Sequence, residues 1–476
     1  MSATRDIRDT AEIGLIGLGT MGAMLALNIA ETGHRIAVFN RTASRIDAFM
    51  TEAVAEDLAR NIVPARDLPE LVAAIARPRR ILLMVPAGRP VDDQIAALRP
   101  LLDEGDVIVD AGNSDWQDTN RRASEAEAAG TLHLGLGVSG GAEGARSGPS
   151  MMAGGSERAW TLLQPVLELA AARFGQDPCV AHLGPGGAGH YVKMVHNGIE
   201  YADMQMIAEV YGLMRDGMGQ GADSIARTFA RWNEGPLASY VVEITAEVAA
   251  ATDPDTRQPM LDVIADRAGQ KGTGRWTVID AQRRAAPLPA VEAAVTARVL
   301  SGEDEARGRG AEIFGTAEPL DLPEADLEGA LIAAKILAYS QGFTLLAVAG
   351  EEEGWALPLP RVAEIWRAGC IIRSAMLDDM ATALRDAPGE RLAFAPRFAG
   401  LLRSHAPALR RTVAAASLAG HPVPALAASL GYLDTLRQAR GTANLIQAQR
   451  DRFGAHGFER IDRPGETGFH GPWGAD

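Results

Sequence analysis

Short apolar runs alternate with helical stretches over the first part of the chain. Ile13-Gly14-Leu15-Ile16, Ile36-Ala37-Val38-Phe39, Ile81-Leu82-Leu83-Met84-Val85 and Val107-Ile108-Val109-Asp110 stand out from their polar surroundings. Runs of this kind belong to strands buried on both faces, as in parallel sheets. A helical pattern follows the first run through Ala30 and stops at Gly33, and another covers Val91 to Leu102. Met151-Met152-Ala153-Gly154-Gly155 reads as a returning strand. After Gly189 the alternation largely stops, and residues from about 190 to 440 read as helix after helix, rich in Ala, Leu, Arg and Glu. From Gly454 the composition turns to Gly, Pro, His and aromatics, with no periodicity and no core of its own. The pattern predicts an α/β domain over residues 1–187, a large all-α domain over 188–440 and an extended tail over 441–476.

The turn after the first strand is Gly17-Leu18-Gly19-Thr20-Met21-Gly22. Strand, GxGxxG turn, helix and strand together form a dinucleotide fingerprint, so the N-terminal domain is predicted to be Rossmann-type. The second strand ends in Asn40-Arg41-Thr42. An NAD site usually has an acid there for the ribose 2′-OH. Arg41 can instead pair with a 2′-phosphate and Thr42 can hydrogen-bond it, so the expected cofactor is NADP. The plainer alternative is a surface arginine after a strand. Later strands end in Val85-Pro86-Ala87-Gly88 and Ala111-Gly112-Asn113-Ser114, where parallel sheets bind ligands. The stretch 137–146, with Ser139, Gly140 and Gly141, reads as too glycine-rich for a helix interior. It suits backbone kept bare to grip a substrate.

A helix over the stretch from Gly189 to Tyr201 places Lys193, His196, Asn197 and Glu200 on one face. A polar stripe either faces solvent on an ordinary helix or lines a site. The preceding Gly184-Pro185-Gly186-Gly187-Ala188-Gly189 allows a second chain or a ligand to approach closely, favouring the site. Gln270-Lys271-Gly272-Thr273-Gly274-Arg275-Trp276-Thr277 interrupts the helices, as either a ligand contact or a basic surface turn. Trp232 and Trp366 sit in similar settings, each after a helical run with a tyrosine, Tyr201 and Tyr339, which suggests a duplicated helical unit. Phe458, Phe469 and Trp473 need something to pack on, and a neighbouring subunit is one candidate.

A net charge of -15 argues against general nucleic-acid binding but leaves room for an anionic small ligand. No stretch approaches the apolar run needed to span a bilayer. Met1 to Thr10 resembles no targeting signal, so a cytoplasmic location is expected. The two cysteines, Cys179 and Cys370, have no metal-ligand spacing, and no carboxylate cluster has one either, so no metal is expected.

With these residues in view, the chain resembles the decarboxylating 6-phosphogluconate dehydrogenases over nearly its whole length. The resemblance rests on Phe39-Asn40-Arg41-Thr42, residues 137–148, Lys193 to Tyr201, residues 270–277 and Ala443-Asn444-Leu445-Ile446-Gln447-Ala448-Gln449-Arg450-Asp451. It implies NADP, 6-phosphogluconate, a homodimer and a tail that reaches into the partner. It implies Lys193 as general base and acid and Glu200 as proton donor. Implied substrate contacts are Asn113, Ser139, Gly140, Gly141, His196, Asn197, Tyr201, Lys271 and Arg298, with Arg450 and His456 from the other subunit. Implied cofactor contacts are Gly17, Leu18, Gly19, Thr20, Met21, Gly22, Asn40, Arg41, Thr42, Val85, Pro86, Ala87 and Asn113. Pro86 departs from a usual lysine, Ala111 from a usual glycine and Arg452 from a usual tyrosine; these bear on cofactor affinity and the shape of the tail.

The implied reaction oxidises a 3-hydroxy acid and then releases CO₂. Lys193 can act as base only when neutral, so burial or nearby cations, with His196, Lys271 and the arginines as candidates, must lower it from about 10.4. A 3-hydroxyisobutyrate-type dehydrogenase is the alternative enzyme, but such chains are much shorter. A catalytically silent NADPH-binding protein would be expected to have a damaged stripe, and this stripe is intact.

Overall fold

The apolar runs assemble, in a computed structural model that describes residues 10–473, into an eight-stranded sheet. Most of the N-terminal stretch read as carrying no targeting signal, and the end of the tail, lie outside the described residues. The strands are β1 (Ile13–Ile16), β2 (Ile36–Phe39), β3 (Ile62–Pro64), β4 (Arg80–Leu83), β5 (Val107–Asp110), β6 (Leu132–Ser139), β7 (Ser150–Gly155) and a closing strand Val180–His182. Their order is Val180–His182, β7, β6, β5, β4, β1, β2, β3. Neighbours are parallel except β6 and β7. The chain runs outward from β1 through β2 to β3, then returns to β4 on the other side of β1. That reversal opens a crevice at the carboxyl ends of β1 and β4. β3 and the Val180–His182 strand had no clear sequence pattern: both are three residues long, and β3 ends in a proline suited to a sheet edge.

Two expectations need correction. Residues 137–146 are not bare loop. Gly137 to Ser139 complete β6, and a helix, Gly141–Ser147, starts after Gly140, whose φ of 121° makes the turn. The bulk of this glycine-rich stretch is therefore strand and helix start, where free N–H groups point outward. The second concerns membranes. The helix Glu324–Glu352 is long and apolar enough to span a bilayer by length and composition. Its most apolar window is 83% buried within the protein, so its apolar character serves the core.

The helices beyond Gly187 surround two long members, Ala188–Gly212 and Glu324–Glu352, which pack on each other. Trp232 and Trp366 each lie at the end of a following helix, both buried. The interface between the long helices holds a charge pair. Lys335 Nζ lies 2.8 Å from Asp203 Oδ2 and 3.1 Å from Ser239 Oγ, with both charged side chains essentially inaccessible. Removing one partner of such a pair leaves a buried charge uncompensated. Lys335→Met is therefore expected to lower stability by about 3–5 kcal/mol, read as a lower denaturation midpoint; an unchanged midpoint would show that the pair carries no net stabilisation.

Candidate active site

The site is built on the Ala188–Gly212 helix, which lies almost against the backbone of the sheet. A Cβ on Gly189 would stand 2.4 Å from the Met152 carbonyl oxygen and 2.5 Å from the Gly154 nitrogen. One on Gly187 would stand 2.3 Å from the Trp116 carbonyl oxygen. The glycines here thus admit the protein's own chain, β7 at Gly189 and the start of the helix Trp116–Ala128 at Gly187, not the second chain or ligand the sequence suggested. Gly137 of β6 faces the helix in turn: a Cβ there would come within 2.4 Å of Lys193 Cβ. On the far side, Thr277 Oγ1 donates to the Met194 carbonyl at 2.8 Å and ties the Thr273–Arg283 helix to the same element.

The predicted stripe exists and is mostly buried. Lys193, His196 and Asn197 are buried, and the Glu200 side chain is 21% exposed. His196 Nε2 lies 3.1 Å from Ser139 Oγ, and its Nδ1 lies 3.1 Å from Asn197 Oδ1 and 3.5 Å from Lys193 Nζ. Since Asn197 Oδ1 can only accept, the bonds fit a proton on Nδ1 and a Ser139 hydroxyl donating to Nε2. Glu200 Oε2 is 3.7 Å from the same Nδ1. Trp366 packs edge-on to the His196 ring at 5.6 Å, and Arg298 covers the Tyr201 ring at 3.7 Å.

Burial controls the charges. It pushes the Lys193 amine below its ordinary value, against the opposing pull of Glu200 and the Cys370 thiol. It pushes the Glu200 carboxyl up, against Lys193 and Arg298. It holds His196 well below the usual imidazole range, with Lys193 adding to the effect. His196 is therefore neutral and is not the cation expected to depress Lys193; desolvation does that work. A lysine that deprotonates more easily and a carboxyl that holds its proton longer suit a base and an acid on one helix face.

The cofactor side occupies the crevice. Gly17 has φ 107° and makes the turn, while nothing stands within 4 Å of a Cβ placed on Gly19. The following helix, Thr20–Glu31, has no side-chain cap and no acid in its first turn, so Leu18, Thr20, Met21 and Gly22 lie at an N-terminus fit for a pyrophosphate. Asn40 Oδ1 accepts from Leu18 N–H at 3.0 Å. Arg41 and Thr42 are exposed beside it, and Arg41 has no ion pair among the described residues. Val85, Pro86 and Ala87 follow β4, and Asn113 follows β5; a Cβ on Gly112 would lie 3.1 Å from the Val85 carbonyl oxygen, so the two loops adjoin. These residues fit a dinucleotide with a 2′-phosphate.

The structure also adds residues that no spacing in the sequence marked. Gly369 presents its carbonyl where a Cβ on Gly140 would be 2.6 Å away. Cys370, its thiol pushed up to about 12 by burial, adjoins Lys193 electrostatically. Ser150 joins this segment to the sheet by bonds to the Ile365 and Gly369 carbonyls. Lys271 is exposed with no ion-pair partner among the described residues, two positions before the Thr273–Arg283 helix. Arg450 and His456 are exposed on the tail. Among its described residues the tail has no apolar core, but it has a hydrogen-bonded frame, since Asp451 binds its returning end.

The chain matches two family descriptions in tandem. The "NAD binding domain of 6-phosphogluconate dehydrogenase" covers residues 12–184, and "6-phosphogluconate dehydrogenase, C-terminal domain" covers 189–473. The chain belongs to the decarboxylating 6-phosphogluconate dehydrogenases. It is 46% identical to the decarboxylating 6-phosphogluconate dehydrogenase of Synechococcus elongatus, over 97% of this chain and 99% of the relative. Two relatives from Bacillus subtilis, named NADP(+)-dependent and NAD(+)-dependent, are 42% and 43% identical, each over 97% of this chain and 99% of the relative. The Plasmodium falciparum 6-phosphogluconate dehydrogenase structure superposes with a TM-score of 0.93 at 40% identity, covering 97% of this chain and 100% of that one.

For a 6-phosphogluconate dehydrogenase, the neutral form of Lys193 is the form that can take a proton. Lys193→Met should lower kcat by at least about 10²-fold, with the fold and NADPH binding intact. Glu200 raises the lysine by its negative charge. Glu200→Gln removes that charge, so the acidic limb of the pH profile for the oxidation step should move to lower pH. A limb that stays put or moves up would separate Glu200 from Lys193.

Proposed function

We propose that the chain catalyses the NADP-dependent oxidative decarboxylation of 6-phospho-D-gluconate to D-ribulose 5-phosphate, CO₂ and NADPH. This is the oxidative branch of the pentose phosphate pathway and a step in gluconate use. The observation that carries the reading is the Lys193–His196–Asn197–Glu200 face, buried save for Glu200 and bonded to the end of β6 through His196 and Ser139. Bound NADP supplies the oxidant, held by residues 17–22, Asn40 to Thr42, the 85–87 loop and Asn113.

Lys193 takes the 3-hydroxyl proton as the substrate is oxidised. As an ammonium it then stabilises the enolate oxygen that develops while CO₂ departs. Glu200, its carboxyl pushed up by burial, delivers a proton to the substrate's C2, which becomes C1 of the pentulose, and completes the ketose. Asn113, Ser139, Gly140, Gly141, His196, Asn197, Tyr201, Lys271 and Arg298 orient the sugar acid. Arg450 and His456 reach its phosphate from the neighbouring subunit of a homodimer. The exposure of Leu445 and Ile446 (62% and 59%) and of Phe453 (75%) beside them supports a tail that docks elsewhere. A cytoplasmic location completes the reading, in keeping with two buried, unpaired cysteines.

The purified enzyme should form NADPH and CO₂ in equal amounts from NADP and 6-phosphogluconate, and NADPH without CO₂ would sink the decarboxylating assignment. Arg41→Asp should weaken NADP binding far more than NAD binding, because it sets a like charge beside the 2′-phosphate; an unchanged preference removes Arg41 from the cofactor site. Mixing inactive Arg450→Ala and Lys193→Met chains should restore activity, since one site of each hybrid dimer then holds both intact groups. Confirmed hybrids without activity would place the tail in its own chain's site.

A further inference from the structure

The tail helix Ala443–Gly454 inverts the usual burial rule. Asp451 is its one buried residue, with a side chain only 1% exposed, while its apolar residues face outward. A carboxylate leaves water at little cost only when its lone pairs are filled. Here they are filled from outside the helix. Oδ1 accepts from Gly457 N–H at 2.9 Å and from His470 Nδ1 at 2.7 Å. Oδ2 accepts from Gly471 N–H at 2.9 Å and from Trp473 Nε1 at 2.8 Å. These donors, Gly471 N–H foremost, hold the carboxyl well below the usual carboxylate range.

The bonds join three pieces: the helix end, the turn after it and the returning strand-like segment. The turn is pinned again by Ala455 N–H donating to the Asp451 carbonyl at 2.8 Å and by Gln447 Nε2 donating to the Gly457 carbonyl at 2.6 Å. Phe458 and Phe469 exchange two backbone bonds, at 2.8 and 3.1 Å. His456 lies inside this pinned turn, its ring edge-on to Phe453 at 5.9 Å. Arg450 donates to Oε1 of Gln447, the side chain that holds Gly457. Arg450 and His456 therefore hang from a single frame whose centre is the Asp451 carboxylate.

We infer that Asp451 is a positioning residue: it folds the tail into one piece that presents Arg450 and His456 together to the substrate phosphate in the neighbouring subunit's site. The inference rests on the reaction and the tail exchange proposed above. Pre-ordering the tail also removes much of the ordering entropy that docking would otherwise cost.

Asp451→Asn preserves the side-chain size but turns one acceptor into a donor that opposes its neighbours. In the assembled dimer it should raise KM for 6-phosphogluconate about tenfold while kcat changes by less than about threefold and KM for NADP stays put. Combined with Arg450→Ala it should add less than its separate effect, since both act through one contact. Mixed with Lys193→Met chains, it should recover low-KM turnover, because the hybrid's intact lysine then meets an intact tail. A KM within about twofold of the parent overturns the inference. A raised KM that confirmed hybrids fail to lower overturns the presentation in trans, and a parent inert towards 6-phosphogluconate identifies failure of the proposed reaction. Should Asp451→Asn not assemble, His470→Ala and Trp473→Phe each remove one donor and keep the carboxylate. Each should give the same kind of shift, about threefold, and no shift in either overturns the inference.

Discussion

The close approach of the Ala188–Gly212 helix to bare sheet backbone is the constraint on which the rest depends. Met152 and Gly154 on β7 and Gly137 on β6 leave no space for side-chain atoms between helix and sheet. Lys193 is thereby pressed into a seat from which water is excluded. Its proton affinity follows from that seat, because desolvation disfavours the ammonium more than Glu200 and Cys370 favour it. The chemistry thus traces back to a steric fact: a Cβ on Gly137 would collide with the lysine's own Cβ. Moving the helix outward by an ångström or two would admit water and return the amine towards its ordinary value.

The same helix shows how partnering separates structural charges from reactive ones. It carries Lys193, Glu200, Asp203 and Glu209. Asp203 is neutralised by Lys335 at 2.8 Å. Glu209 accepts from the N–H groups of Ala425 and Leu426 at 2.8 and 2.9 Å, capping the helix Pro424–Leu436, while burial lifts its carboxyl to about 7. Glu200 has, among the described residues, only the 3.7 Å approach to His196. Lys193 has only a long contact of 3.5 Å to the same ring. The ion pair holds Asp203 as a structural charge, while the loose contacts of Lys193 and Glu200 suit groups that change theirs.

Much of this was legible in the sequence, because it depends on local spacing. The GxGxxG turn, four parallel strands and the helical period that aligns Lys193 with His196, Asn197 and Glu200 are all local. The glycines before the helix were legible as a close approach, but not what approaches, since Met152 and Trp116 lie far away in sequence. The wall formed by Trp366, Gly369 and Cys370 was missed for the same reason. His196 was misjudged as a cation because its full burial comes from tertiary packing. The helix Gly141–Ser147 is masked in the sequence by the glycines at and before its start, Gly137, Gly140 and Gly141, of which Gly140 and Gly141 make the turn.

Cofactor choice turns on fewer atoms than the fold does. The Bacillus subtilis relatives named for NADP and for NAD are 42% and 43% identical to this chain, so overall similarity cannot separate them. In this chain the feature that bears on the choice lies at the end of β2. Asn40 holds the glycine turn by accepting from Leu18 N–H, a bond that an aspartate could make equally well. An aspartate, however, would add a negative charge next to the exposed Arg41, which has no ion pair among the described residues, and would consume its charge in one. The amide keeps the turn's geometry, and in the cofactor site proposed above it leaves the guanidinium to an incoming 2′-phosphate. On that proposal, selectivity for NADP needs two things at this corner: a cation, and a neutral neighbour that does not neutralise it.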